Sequence, residues 1–403
     1  MNVAKPLRIW LALTVVLVMI ANHCTGQAAA TVGNQRQAAL ALEQQGKNAE
    51  AEAAWRAILK VHPTGSEPYA HLGLLEARQE HYKEAVQLYR KALALNPAMP
   101  GVRMNLGLAL FKDEDFKQTI PVFLALLKSQ PASSAEAERL NILLGMAHYG
   151  LREYAEAVPY LKRAARGDAQ NLPLRLALAH SCLWSKQYPC VMDTYHEILT
   201  LNAESAEADM LAGEALDEMK DTPGAIQQFR AAVRANPQEP DVHYGLGYLL
   251  WTQMQYPEAA SEFQAELENN PDHVDAMLYL GDTQIALKHP EIAQPLLEKV
   301  LRVDAKQALA HLDLGIVYAD TGRNDDALKE LKEAERLDPE SVNVRWRLGR
   351  LYRSMGKTDE AKAEFGRASS INKSKDTSLV DKISGGHAKD RPVQQPATGP
   401  AKM

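Results

Sequence analysis

The sequence predicts an all-α fold built from stacked helical hairpins. Three observations carry that prediction. The 403 residues are rich in alanine and leucine and only 6% are aromatic, a balance that favours helices over sheets. A small residue recurs with a period of 34 along most of the chain. Around it, bulky residues fall at i, i+3, i+4 and i+7, the spacing of one helical face.

Composition narrows the rest. Apolar residues make up 46% and charged residues 24%, which excludes a wholly disordered chain, a collagen and a multispanning membrane protein. The formal net charge is -6, and no domain-wide excess of Lys and Arg points to nucleic acid, so that partner is not expected. Three cysteines are too few for a disulfide-dense scaffold.

The N-terminus has the layout of a secretory signal peptide over residues 1–30. Lys5 and Arg8 form a basic head, Ile9 to Ala21 is an uncharged run of 13 residues, and Ala28-Ala29-Ala30 follows. That run is shorter than the roughly 20 residues a membrane-spanning helix needs. Cleavage is expected near Ala28 or Ala30, making the protein exported, periplasmic or secreted. The competing reading is an anchor at residues 9–21 that stays attached, the one route by which this chain would meet a membrane. Lipid attachment at Cys24 is disfavoured by the bulky His23 before it.

The repeat defines the next element. Gly73, Gly107, Gly145, Gly213, Gly247, Gly281, Gly315 and Gly349 keep the period, with Ala39 and Ala179 completing the series. The composition would place about 0.6 Gly at ten such positions by chance, against the eight found. The implied repeats start near 32, 66, 100, 138, 172, 206, 240, 274, 308 and 342 and span 32–372. With the glycine counted as position 8, bulk at 4, 7 and 11 marks helix A. A second small comb at position 20 (Ala51, Ala85, Ala225, Ala259 and others) and bulk at 24 (Trp55, Tyr89, Phe123, Phe229, Phe263 and others) mark helix B. The small residues let the two helices approach closely. Six repeats carry a proline at position 32, from Pro63 to Pro339, which ends helix B. One hairpin cannot bury its apolar faces, whereas stacked neighbours can.

Two departures stand out. Gly107 to Gly145 is 38 residues, four more than the period, close to one helical turn. The extra length around Ser133 to Glu138 predicts a longer helix A or loop. Residues 373–403, with Pro392, Pro396, Pro400 and a mild basic excess, read as a disordered tail, with a short helical stretch near Leu379 to Ile383 as an option.

Enzymatic signatures are missing. Gly245-Leu246-Gly247 begins a dinucleotide fingerprint, but Leu250 stands where the third glycine belongs and no strand precedes it. The twelve histidines show no metal-binding spacing. No stretch outside the repeats is long enough for a catalytic domain. The protein is therefore read as no enzyme, with no cofactor and no metal. Cys182 and Cys190 fall late in helix A and early in helix B of repeat five, so a disulfide and two separate buried thiols both remain open.

The repeat resembles the tetratricopeptide repeat (TPR). Repeat two carries it as Tyr69, Leu72, Gly73, Tyr82, Ala85, Tyr89, Ala92 and Pro97, and repeat seven as Leu246, Gly247, Tyr256, Ala259, Phe263 and Pro271. The resemblance implies a right-handed α-α solenoid of about ten hairpins whose A helices line a concave groove. Positions 2, 5, 9, 12 and 13 then face that groove. They supply Phe111, Tyr149 and Trp184 in repeats three to five, and Glu214 and Asp217 in repeat six. Tyr244, Tyr248, Trp251 and Asp282 follow in repeats seven and eight, and Trp346, Arg350 and Arg353 in repeat ten. The lining thus runs aromatic, acidic, aromatic, acidic and basic. The family's carboxylate clamp wants Lys and Asn at positions 5 and 9, where repeats two and three hold Ala70, Leu74, Met104 and Leu108, so that partner is not implied. What is implied is a scaffold or assembly factor that binds a protein or peptide in the groove. Presenting substrate to a separate envelope enzyme and self-assembly into oligomers are the alternatives.

Overall fold

The computed structural model describes residues 33–168 and 170–387, with side chains to Lys373. The leader expected over residues 1–30 and the last tail residues, 388–403, lie outside the described residues. Among the described residues every regular element is helical, and no helix is long and apolar enough to cross a membrane.

The chain divides into two compact units, with the boundary between Ala203 and Glu204. The first holds α1 (33–44), α2 (Asn48–Val61), α3 (Ser66–Arg78), α4 (Tyr82–Leu95), α5 (Val102–Lys112), α6 (Phe116–Leu127), α7 (Ala135–Gly150), α8 (Tyr154–Gly167), α9 (Leu172–Trp184) and α10 (Tyr188–Leu201). The second holds α11 (Ala206–Glu218), α12 (Thr222–Ala235), α13 (Val242–Thr252), α14 (Tyr256–Asn269), α15 (Val274–Ala286), α16 (Pro290–Val303), α17 (Ala308–Asp320), α18 (Asn324–Leu337), α19 (Val342–Ser354) and α20 (Thr358–His387). Odd numbers are A helices and even numbers B helices. Within each unit, hairpins stack so that consecutive helices pack together and neighbouring A helices touch.

The 34-residue period becomes one recurring lock. A Cβ added to Gly247 would lie 2.8 Å from the Phe263 ring, one at Gly107 2.3 Å from Phe123, and one at Gly315 2.7 Å from Leu331. Position 8 is thus a slot for the bulky residue at position 24. Trp55, Phe123, Leu161, Phe263 and Leu297 are wholly buried in that slot, and position 20 is equally buried at Ala51, Ala225 and Ala327. Phe365 is only half-buried, because α20 belongs to the last hairpin of the unit.

Helix A ends the same way in each hairpin. Position 15 takes a left-handed backbone, as at Glu80, Lys220, Met254, Lys288 and Gly322. The amide one residue on reaches back to helix A, as in His81 N–H to Glu76 O and Gln255 N–H to Leu250 O, which closes a Schellman motif. Helix B stops two residues before Pro63, Pro97, Pro237, Pro271 and Pro339. The four additional residues of repeat four lie before and within α7, which runs for 16 residues from an N-cap at Ser134.

Two features bear on the expectations. Of the tail expected from Lys373, α20 takes in the residues up to His387, including the helical stretch offered near Leu379 to Ile383, and no proline interrupts the chain before Pro392. The cysteines are paired: Cys182 and Cys190 form a disulfide across α9 and α10, with Cα atoms 5.8 Å apart.

Candidate functional site

The predicted A-helix residues separate into clusters. In the first unit, Phe111 meets Phe116 edge-on at 5.4 Å, Tyr149 meets Tyr154 at 5.8 Å, and Trp184 stacks on Tyr154 at 6.1 Å. Phe116 and Tyr154 both open a B helix, so these rings sit where A meets B. Trp184 is 62% exposed, a large apolar surface left to solvent.

The densest cluster lies in the second unit. Tyr248 stacks on Trp251 at 5.9 Å, and Tyr279 from α15 meets Trp251 at 5.0 Å and Tyr248 at 5.3 Å, both edge-on. Tyr244 lies 6.3 Å from Tyr279 and 4.8 Å from the His273 ring. All four rings are half-buried against the apolar core of the unit. Packing and an open edge therefore coexist in the same residues. The Trp251 Nε1–H donates to Asp282 Oδ2 at 2.6 Å, which fixes both side chains.

The adjacent A helix α17 carries a buried acid. Asp313 on α17 is 1% exposed, and its Oδ2 is buried without a hydrogen-bond partner among the described residues. Burial pushes its carboxyl well above the usual range, and the Asp282 charge adds to that, while Arg347 on α19 opposes it. Asp282 is also raised, chiefly by burial, against the Trp251 hydrogen bond and Arg347. Burial and the nearby Asp275 raise Tyr244 as well.

A measurable consequence follows for Asp313. A carboxyl whose pKa is higher folded than unfolded destabilises the fold once pH exceeds its unfolded value, near 4. Asp313→Asn is expected to stabilise the protein by about 1–3 kcal/mol at pH 7.5, because the amide needs no proton taken up on folding. The gain should vanish near pH 4. Urea unfolding of both proteins at the two pH values checks this.

The remaining predicted residues fall elsewhere. Asp217 accepts from the Thr222 hydroxyl at 3.2 Å, and Glu214 is exposed on the same helix. Trp346, 49% exposed, packs on Phe365 at 4.8 Å, and the Arg353 guanidinium lies 5.9 Å from that ring. Arg350 is exposed beside them. These three form a basic and aromatic end to the unit, separate from the Trp251 cluster.

Tyr279, Asp313 and Arg347 are outside the set that the sequence predicts. All three occupy position 6 of helix A, next to the leucines at position 7. A polar residue recurring beside that core position is the signal that could have found them.

Two histidines join helix A to helix B. His243 and His311, both at position 4, bond Glu262 and Glu330 at 2.6 and 2.7 Å, and Arg345 bonds Glu364 at 3.0 Å at the same place. One grouping has metal-like composition: ligand atoms of Asp241, Glu266 and His273 lie within 4.8 Å of one another. Hydrogen bonds account for it. His273 Nδ1 accepts the Ala276 N–H at 3.1 Å, so the neutral ring carries its proton on Nε2, which donates to Asp241 at 3.0 Å. Glu266 accepts the Tyr244 N–H at 3.1 Å.

Comparison with known families adds a consistent result. One family model described as tetratricopeptide repeat matches residues 36–100, 104–171, 193–240, 244–291 and 281–342, and a second of the same description matches 318–377. No curated protein matches the chain significantly. Similar solved structures include MamA from Desulfovibrio magneticus RS-1, 22% identical, covering 42% of this chain and 97% of its own, with a TM-score of 0.39. YrrB, described as a TPR protein with an unusual peptide-binding site, is 20% identical over 47% of this chain and 97% of its own, with a TM-score of 0.39. TTC0263 of Thermus thermophilus, described as a thermophilic TPR protein, is 26% identical over 45% and 99%, with a TM-score of 0.36.

Proposed function

Because the chain belongs to the tetratricopeptide repeat family, a family of protein-interaction modules, we propose that it is a non-enzymatic scaffold or assembly factor. It docks an extended segment or a helix of a partner protein on the A-helix groove of its second unit. The observation that carries this reading is the Tyr244–Tyr248–Trp251–Tyr279 cluster with Asp282 at its edge. Half-buried aromatic rings offer large contact area at low entropic cost, and interface hot spots are rich in Trp and Tyr. A rigid helical scaffold holds them ready before the partner arrives.

On this reading the work is done outside the cytoplasm, after cleavage of the leader near the Ala28–Ala30 run. The Cys182–Cys190 disulfide supports an oxidising compartment. N-terminal sequencing of the mature chain checks the cleavage.

The test is crosslinking of the full chain in its own envelope fraction, followed by mass spectrometry of captured proteins. Trp251→Ala is expected to weaken capture of the partner about thirtyfold, the effect of losing a 2 kcal/mol anchor. Equal capture by the variant, with its helical content intact, would overturn the groove assignment.

A further inference from the structure

The second unit has a feature that peptide docking in general does not require: a half-buried and a fully buried carboxyl on adjacent A helices, neither in an ion pair with a side chain among the described residues. We infer that Asp282, bonded to Trp251 beside Tyr248 and Tyr279, together with the buried Asp313 on the adjacent A helix α17, forms a receptor for one cationic side chain, a lysine or arginine of the docked polypeptide. The inference rests on the groove reading above and names the chemistry of its ligand.

Asp313 is 1% exposed with an unsatisfied buried oxygen. Natural interiors rarely leave such a group unanswered, and removing an unpaired carboxyl by an isosteric amide is an easy gain in stability. A residue that destabilises the resting fold and is nevertheless present points to a ligand that satisfies it. Arg347 is near enough to act on both carboxyls through its field, yet among the described residues no ion pair joins it to either. The cation that would complete the pair is therefore not supplied by these elements.

The shape of the lining selects the ligand. A hard metal ion wants six or more oxygen ligands. Here one oxygen of Asp282 is already held by the Trp251 N–H, and the surrounding wall is aromatic. Aromatic faces attract ammonium and guanidinium groups and also cover the apolar stem that carries them. A cation seated on Asp282 from the groove neutralises that carboxylate and favours release of the Asp313 proton to solvent, after which the second carboxylate adds to the hold.

The experiment is selection of random 12-residue peptides by display on the full chain, on Asp282→Asn and on Asp313→Asn. Peptides selected by the wild type are expected to share one Lys or Arg. Synthetic versions with norleucine or citrulline at that residue should bind the wild type at least tenfold more weakly. Against either Asn variant, that difference should shrink to less than threefold. Asn keeps the shape of Asp, and thermal melts confirm that both variants are folded. The lysine and arginine arms separate the two head groups. If peptides are selected but need no basic residue, or if norleucine and citrulline cost as much on the variants as on the wild type, the receptor is refuted while groove docking stands. If no peptide is selected at all, the groove reading falls and the receptor with it.

Discussion

Phe263→Ala is expected to lower the free energy of unfolding by about 3–5 kcal/mol, the range for an aromatic residue deleted from a packed core. The ring is 0% exposed and fills the slot above Gly247. It also stacks on Tyr279 at 6.0 Å and lies 6.2 Å from Tyr244. Because the facing residue is glycine, no side chain at that position of α13 can swing in to fill the cavity. Phe263→Leu should cost under about 1.5 kcal/mol, since volume-conserving swaps are tolerated. Leu161, Leu297 and Leu331 already fill the equivalent slot elsewhere in the chain. Urea unfolding followed by far-ultraviolet dichroism separates these outcomes. A cost below about 1 kcal/mol for Phe263→Ala would show that the slot is not tightly packed.

The converse substitution, Gly247→Leu, is expected to cost about 3 kcal/mol, at the upper end of overpacking penalties. Its Cβ alone would stand 2.8 Å from the Phe263 ring and 3.3 Å from Glu262 Cβ, and the rest of the side chain has no free volume. Gly247→Ala should be far milder. Ala39 and Ala179 occupy the same place opposite Trp55 and Tyr195, and alanine recovers about 1 kcal/mol of helix propensity. The double variant Gly247→Ala with Phe263→Leu should be more stable than the sum of the single changes implies, because one makes room for the other. Strict additivity of the two would mean that positions 8 and 24 do not meet.

This contact explains what was legible in the sequence. Glycine at position 8, alanine at 20 and bulk at 24 are selected by one steric requirement, so they repeat as residue types and can be counted. The left-handed residue at position 15 is just as regular in the backbone, yet it is Glu80 in one hairpin, Lys220, Met254 and Gly322 in others. Hydrogen bonds of the main chain impose that conformation, and the side chain leaves no pattern. The aromatic cluster was legible in part. Tyr244, Tyr248 and Trp251 occupy positions that the family resemblance assigns to the groove, whereas Tyr279 and Asp313 sit one place nearer the core. Asp313 lies between Leu312 and Leu314, both buried. From spacing alone it would be a misplaced polar residue, and only its burial on the helix next to that of Asp282 gives it meaning. The pairing of position 4 with a glutamate 19 residues on, as in His243 with Glu262 and His311 with Glu330, was likewise hidden. It joins two helices and needs the hairpin to be seen.

Photo-crosslinking from single sites tests groove docking most directly. A benzophenone amino acid placed at Tyr248, on the A-helix face, is compared with one at Ser261, exposed on helix α14. Adducts to the same partner or selected peptide from position 248, with none from 261, are the expected result. Adducts from 261 and none from 248 would put the binding surface on the B helices and contradict the groove assignment.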